Sequence, residues 1–116
     1  MAARYDFYIN QGTTWSVSLT YKDDQGVPID LSNYTAKMQI RLSVESSKVL
    51  LELSTTNGKI TIDGPNGRIQ LQLEPNDTTS LGLVRRGVYD LELTSPSLIV
   101  DRLLEGAVYF NPEVTR

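Results

Sequence analysis

The sequence contains no cysteine and no histidine. Without cysteine there are no disulfides, no thiolate nucleophile and no thiolate metal ligands. Without histidine there is no imidazole base for a serine nucleophile and no imidazole ligand for zinc. Nor is there a side chain that titrates near neutral pH without perturbation. Long apolar runs are missing too, and none approaches the roughly 20 residues that cross a bilayer as a helix. The opening segment, MAARYDFYIN, has neither the apolar middle nor the cleavage site of a signal peptide, so that route of export is not expected. Positive charge is scarce: 11 Lys and Arg stand against 14 Asp and Glu, a net charge of −3, and the cations are dispersed. Nucleic acid is therefore not an expected partner, because phosphate contacts require a concentrated basic face. A membrane is not expected either.

What remains is an ordinary globular composition, 40% hydrophobic and 22% charged, in 116 residues. That length suits one domain with one modest core. Period-two alternation runs through most of the chain, and helical spacing hardly appears. In TWSVSLTY, Trp15, Val17, Leu19 and Tyr21 share one face. In TAKMQIRLS the apolar face is Ala36, Met38, Ile40 and Leu42; in RIQLQLE it is Ile69, Leu71 and Leu73; in GVYDLELTS it is Tyr89, Leu91 and Leu93. Shorter runs, KVLLELS, KITID and LIVDRLLEGAVYF, fill the gaps. KDDQG (22–26) and DGPNG (63–67) have turn chemistry, since Gly and Asn accept positive φ and Pro presets its own. TTNG (55–58) and TSPS (94–97) are further breaks. Only EPNDTTSLG (74–82) has the look of a helical turn, with Asn76 or Asp77 placed to cap it. About seven to eight short antiparallel strands at such intervals predict an all-β, Ig-like sandwich. The whole of 1–116 reads as a single domain with extended N- and C-terminal segments.

Asp90 and Glu92 are the natural place to look for chemistry. Two positions apart on a strand they sit roughly 6.6 Å apart at Cα, a spacing that could flank a glycosidic bond. They lie opposite Tyr89, Leu91 and Leu93, however, which puts them on the wet face, where cross-strand pairing with Arg or Lys is their ordinary use. Asp23, Asp24, Asp63 and Asn66 lie in turns without the ligand spacing of a calcium loop. DGPNG lacks the length and the lysine of a phosphate loop. No catalytic, cofactor-binding or metal-binding residue is expected, and no cofactor. Trp15, Tyr21, Tyr34 and Tyr89 are placed for the core or its rim. The candidates for a partner interface are Tyr5, Phe7 and Tyr8 at one end, Tyr109 and Phe110 at the other, and the single basic doublet Arg85 and Arg86. Tyrosine, phenylalanine and arginine are enriched at the centres of interfaces. For the terminal aromatics, packing on their own domain is an equal alternative; for the arginine doublet, a solvated strand start is favoured.

Four stretches, YDFYINQGTTW (5–15), PIDLSNYTAKMQIR (28–41), GVYDLELTSP (87–96) and LLEGAVYFNPEVT (103–115), together cover nearly the whole chain. They resemble a family of small tailed-phage virion proteins. The pairing of DLSNYTAKMQIR with a later YDLELTSP also looks like the Ig-like N-terminal module of phage upper-baseplate proteins. Asn33 stands where that family has Gly, a departure that keeps a positive-φ turn. The resemblance implies a non-enzymatic adaptor, present in multiple copies in a virion assembled in bacterial cytoplasm. It would bind other phage structural proteins at the tail baseplate or a tail-fibre attachment, through strand edges and inserted terminal aromatics. The chief alternative is a capsid decoration protein. A carbohydrate-binding module is a third, and it requires an exposed aromatic platform, which Trp15 on the core face does not provide.

Overall fold

Where apolar and polar residues alternate, the chain forms strands. The computed structural model describes residues 2–115. In chain order the strands are β1 (Ala3–Arg4), β2 (Phe7–Asn10), β3 (Trp15–Thr20), β4 (Thr35–Arg41) and β5 (Leu51–Ser54). They continue with β6 (Ile60–Asp63), β7 (Arg68–Leu73), β8 (Arg86–Thr94) and β9 (Val100–Asn111). A 3-10 turn, Gly64–Asn66, joins β6 to β7, and a single short helix, α1 (Pro75–Thr79), follows β7. In the larger sheet β1 and β2 lie at one edge beside β9, followed by β8, β4 and β5; the smaller sheet has the order β3-β7-β6. The two pack face to face as a sandwich, and the strand order is of the immunoglobulin type.

Three expectations need correction. There are nine strands among the described residues, and not all are antiparallel, because β1 and β2 pair parallel with β9. Insertion of the terminal aromatics into a neighbour gives way, at Phe7 and Phe110, to the alternative of packing on their own domain. Phe7 pairs with Val108 and Ile9 with Phe110, so the two ends of the chain meet within one sheet. Finally, β4 ends at Arg41 and Leu42 is exposed, outside the apolar face assigned to it.

The core forms where the inward faces of the sheets meet. Met38 and Ile40 from β4, Leu53 from β5, Leu91 and Leu93 from β8, and Ile69, Leu71 and Leu73 from β7 are buried essentially completely. Burying each such side chain contributes about 1.5–3 kcal/mol. Trp15, Val17 and Leu19 on β3 are only half-buried, because β3 is an edge. Phe7 is 3% exposed and is the hub of an aromatic cluster. Its ring meets Tyr5 at 5.2 Å, Trp15 at 5.3 Å and Tyr89 at 5.0 Å between centroids. Edge-to-face and tilted contacts of this kind add to area burial.

Local chemistry sets the crossings between sheets. Gln11, where β2 hands over to β3, is 8% exposed, and both ends of its amide are used. Its Nε2 donates to the carbonyls of Thr78 (3.1 Å) and Gly82 (2.9 Å), while its Oε1 accepts the Glu113 N–H (3.3 Å). A buried amide satisfied at both ends ties the crossing to α1 and to the C-terminal tail. The cap of α1 is Glu74, not Asn76 or Asp77. Asp77, three residues on, reaches back to the Glu74 N–H at 2.8 Å and also takes the Lys59 ammonium at 2.9 Å. At Gly106 the N-terminal strand passes so close that a Cβ would strike the Tyr5 carbonyl, so only glycine fits. Asn33 has φ of 65°, the left-handed turn its side chain tolerates.

Candidate interaction surface

The outward positions of β2, β9, β8 and β4 form one continuous face of the larger sheet. The register sets Tyr8 opposite Tyr109, and Tyr109 opposite Arg86, in a row across three strands. The Tyr8 and Tyr109 rings stack, with centroids 5.1 Å apart and planes 17° from parallel. The Arg86 guanidinium stands over the Tyr109 ring, 5.7 Å from its centroid. Tyr8 is 73% exposed, so the row ends in a ring open to solvent. Tyrosine and arginine supply large, rigid contact area, and a guanidinium stacked on a ring is already oriented.

β1, β4, β8 and β9 also form a groove of about 330 Å³, lined among others by Val88, Gly106, Arg4, Gln39, Arg41 and Arg102. Two carboxylates, Asp90 and Glu105, also line it. Arg102 lies 3.5 Å from Asp90 and 3.4 Å from Glu105. Arg41 differs: its guanidinium donates to the Ser46 carbonyl and the Gln39 Oε1, each at 2.8 Å, and both acceptors are neutral. The Arg86 guanidinium has the Tyr109 ring as its neighbour. Among the described residues, no carboxylate lies within salt-bridge distance of either of these two guanidinium groups.

The sequence-derived site residues divide sharply. Tyr8, Tyr109 and Arg86 come together on the outer face. Tyr5 is 55% exposed but turns its ring toward Phe7 at the rim of the core. Phe7 and Phe110, each 3% exposed, are core residues and cannot insert into a neighbour. Their places on β2 and β9 give them the inward parity, one step out of phase with Tyr8 and Tyr109. Arg85 does not share the row, because its guanidinium folds back on the carbonyls of Gly82 and Val84. Asp90 and Glu92 lie on the solvated side, as their alternation implies. Asp90 pairs with Arg102, and Glu92 stands opposite Lys37 on β4 and Arg102 on β9. Asp23 is a turn former, accepting the N–H groups of Gln25 and Val27 on one oxygen, and Asp63 bonds the Asn66 amide.

Two features have no counterpart in the sequence analysis. Arg4, Gln39, Arg41 and Arg102 are scattered along the chain, and only strand register gathers them around the groove. The tip of the β8–β9 hairpin presents Leu98, Ile99 and Val100 at 80%, 61% and 55% exposure. Leu98 adopts φ of 68°, in the left-handed region that costs a bulky residue roughly 1–2 kcal/mol. The signal was three apolar residues directly after the break at TSPS, a position where a turn is ordinarily polar.

No family model matches the chain, and no curated protein is significantly similar to it.

Proposed function

We propose that this chain is a non-enzymatic structural adaptor of a tailed-phage virion, seated at the tail baseplate or at a tail-fibre attachment. The observation that carries the docking mechanism is the Tyr8–Tyr109–Arg86 row, an exposed aromatic and cationic ridge on a six-stranded sheet. The assignment to a virion rests on the resemblance of the four sequence stretches. Binding is non-covalent: the stacked tyrosines supply contact area, and Arg86 and Arg41 meet carboxylates on the neighbouring subunit. Each such charge-assisted bond fixes orientation as well as adding affinity. Asp90 and Glu92 serve the sheet as cross-strand partners and take no part in catalysis.

The test is incorporation of a Tyr8→Ala/Arg86→Ala chain into particles, measured by quantitative mass spectrometry of purified virions. Both side chains are exposed, so the fold is retained. Loss of two interface anchors lowers occupancy about tenfold or more at limiting chain concentration. Undiminished incorporation of the folded double variant would overturn the assignment of this face.

A further inference from the structure

β3 is an open edge. It pairs with β7 on one side and, among the described residues, has no strand on the other. The direction of its free groups follows from register. The Gln72 N–H donates to the Lys59 carbonyl, away from β3, so its partner Ser16 also turns its backbone away from β7. The same parity leaves the N–H and C=O of Ser16, Ser18 and Thr20 facing outward. Among the described residues they meet no backbone partner.

Natural edges are ordinarily blunted by charge, proline, a bulge or short length. β5 carries Glu52, β6 ends in Asp63, and β2 has only four residues. β3 has six, WSVSLT, with no charge, no proline and no break in register. The inward residues Trp15, Val17 and Leu19 are half-buried, so apolar surface between the sheets also lies open along this edge.

We infer that β3 binds β3 of a second copy of this chain, antiparallel across a two-fold axis through Ser18. The argument is complementarity of charge and register. A basic or acidic strand would find no counter-charge along WSVSLT, whereas a neutral strand is matched by a neutral one. An axis at Ser18 pairs Ser16 with Thr20 of the second copy and Ser18 with its own equivalent. The outward groups then close three hydrogen-bonded pairs. Lys22 falls beside Thr14 of the second copy and Asp23 beside its Thr13, so no like charges meet. The two small sheets become one of six strands, β6-β7-β3 joined to its mate, and the half-buried side chains of β3 are covered from the open side. Two-fold closure uses up the edge, so growth stops at the dimer. The inference rests on the geometry of β3 and does not depend on the virion assignment.

The experiment is sedimentation velocity of the full chain from about 1 μM to about 1 mM, with Ser18→Pro and Ser18→Lys beside it. Proline removes an outward N–H, which an edge position tolerates. Lysine places like charges directly opposite each other across the axis. Thr61→Lys is the control, adding the same charge to the same sheet on β6. The expected result is a concentration-dependent dimer, weakened at least tenfold by either Ser18 substitution and unchanged by the control. The amide exchange of Ser16, Ser18 and Thr20 slows as the dimer forms. A monomer throughout that range overturns the inference. So does a dimer that keeps its affinity in S18K, or one that leaves these three amides unprotected.

Discussion

Tyr89 shows how one side chain on β8 secures the N-terminal segment. Its ring packs on Phe7 and its hydroxyl donates to the Tyr5 carbonyl at 2.6 Å, holding the N-terminal strand on the sheet. Burial, reinforced by the nearby Asp6 carboxylate, raises its pKa well above the ordinary tyrosine value of 10.0. A raised pKa means that the folded state favours the neutral phenol. The associated stability is fully present below pH 10 and is lost as pH rises from there toward the folded value. Tyr89→Phe removes the hydroxyl and leaves the Tyr5 carbonyl without this donor. We expect a loss of about 1 kcal/mol at neutral pH together with a smaller fall in stability above pH 10 than in the parent chain. Urea denaturation at pH 7 and in the alkaline range reads both; unchanged alkaline behaviour would remove Tyr89 from the account. Asp77 behaves in the opposite sense. Desolvation raises its pKa, but the Lys59 hydrogen bond, the Glu74 N–H and the Lys59 charge together outweigh it and hold the carboxyl below its ordinary value. Its contribution is present above the ordinary carboxylate range and is lost on acidification.

At the scale of elements, parity decides which residues face the core and which face outward. On β2, Phe7 and Ile9 point inward while Tyr8 points out, although all three sit in one short aromatic and apolar run. Phe7→Ala is expected to cost about 3–5 kcal/mol and Tyr8→Ala less than about 1 kcal/mol, with thermal unfolding separating the two. Equal costs would show that the N-terminal strand is not seated as described. Removing residues 1–9 takes Phe7 and Ile9 out of the core, so it tests folding and not docking. The alternation in TAKMQIR, RIQLQL and GVYDLELT made β4, β7 and β8 legible from sequence, because each buries one face only. β9 was harder to parse. Leu91 pairs with Leu104 but Glu92 with Arg102, so the register shifts there, and LLEGAV does not alternate cleanly across that irregularity. The parallel pairing of β2 with β9 joins residues about a hundred positions apart, and no local signal announces it. Turn chemistry, by contrast, was readable: DGPNG closes on Gly67 at φ of 61°, beneath the Ile29 carbonyl.

For the whole molecule, the larger sheet offers a face and the smaller sheet an edge. The face was half legible: Tyr8, Tyr109 and Arg86 were singled out by residue type and position in the chain. Arg4, Arg41 and Arg102 were not, because a groove assembled from four strands exists only once their register is known. Docking through the sheet face leaves the β3 edge free, so adaptor binding and self-association can occur together in a multi-copy assembly. The most direct measurement is electron cryo-microscopy of particles containing this chain, resolved well enough to orient the sandwich. The account predicts density at the tail tip or fibre roots, with the Tyr8–Tyr109–Arg86 row against a neighbouring subunit and carboxylates facing Arg41 and Arg86. Density over the capsid lattice, or a tail-bound chain with that face turned to solvent, would contradict it.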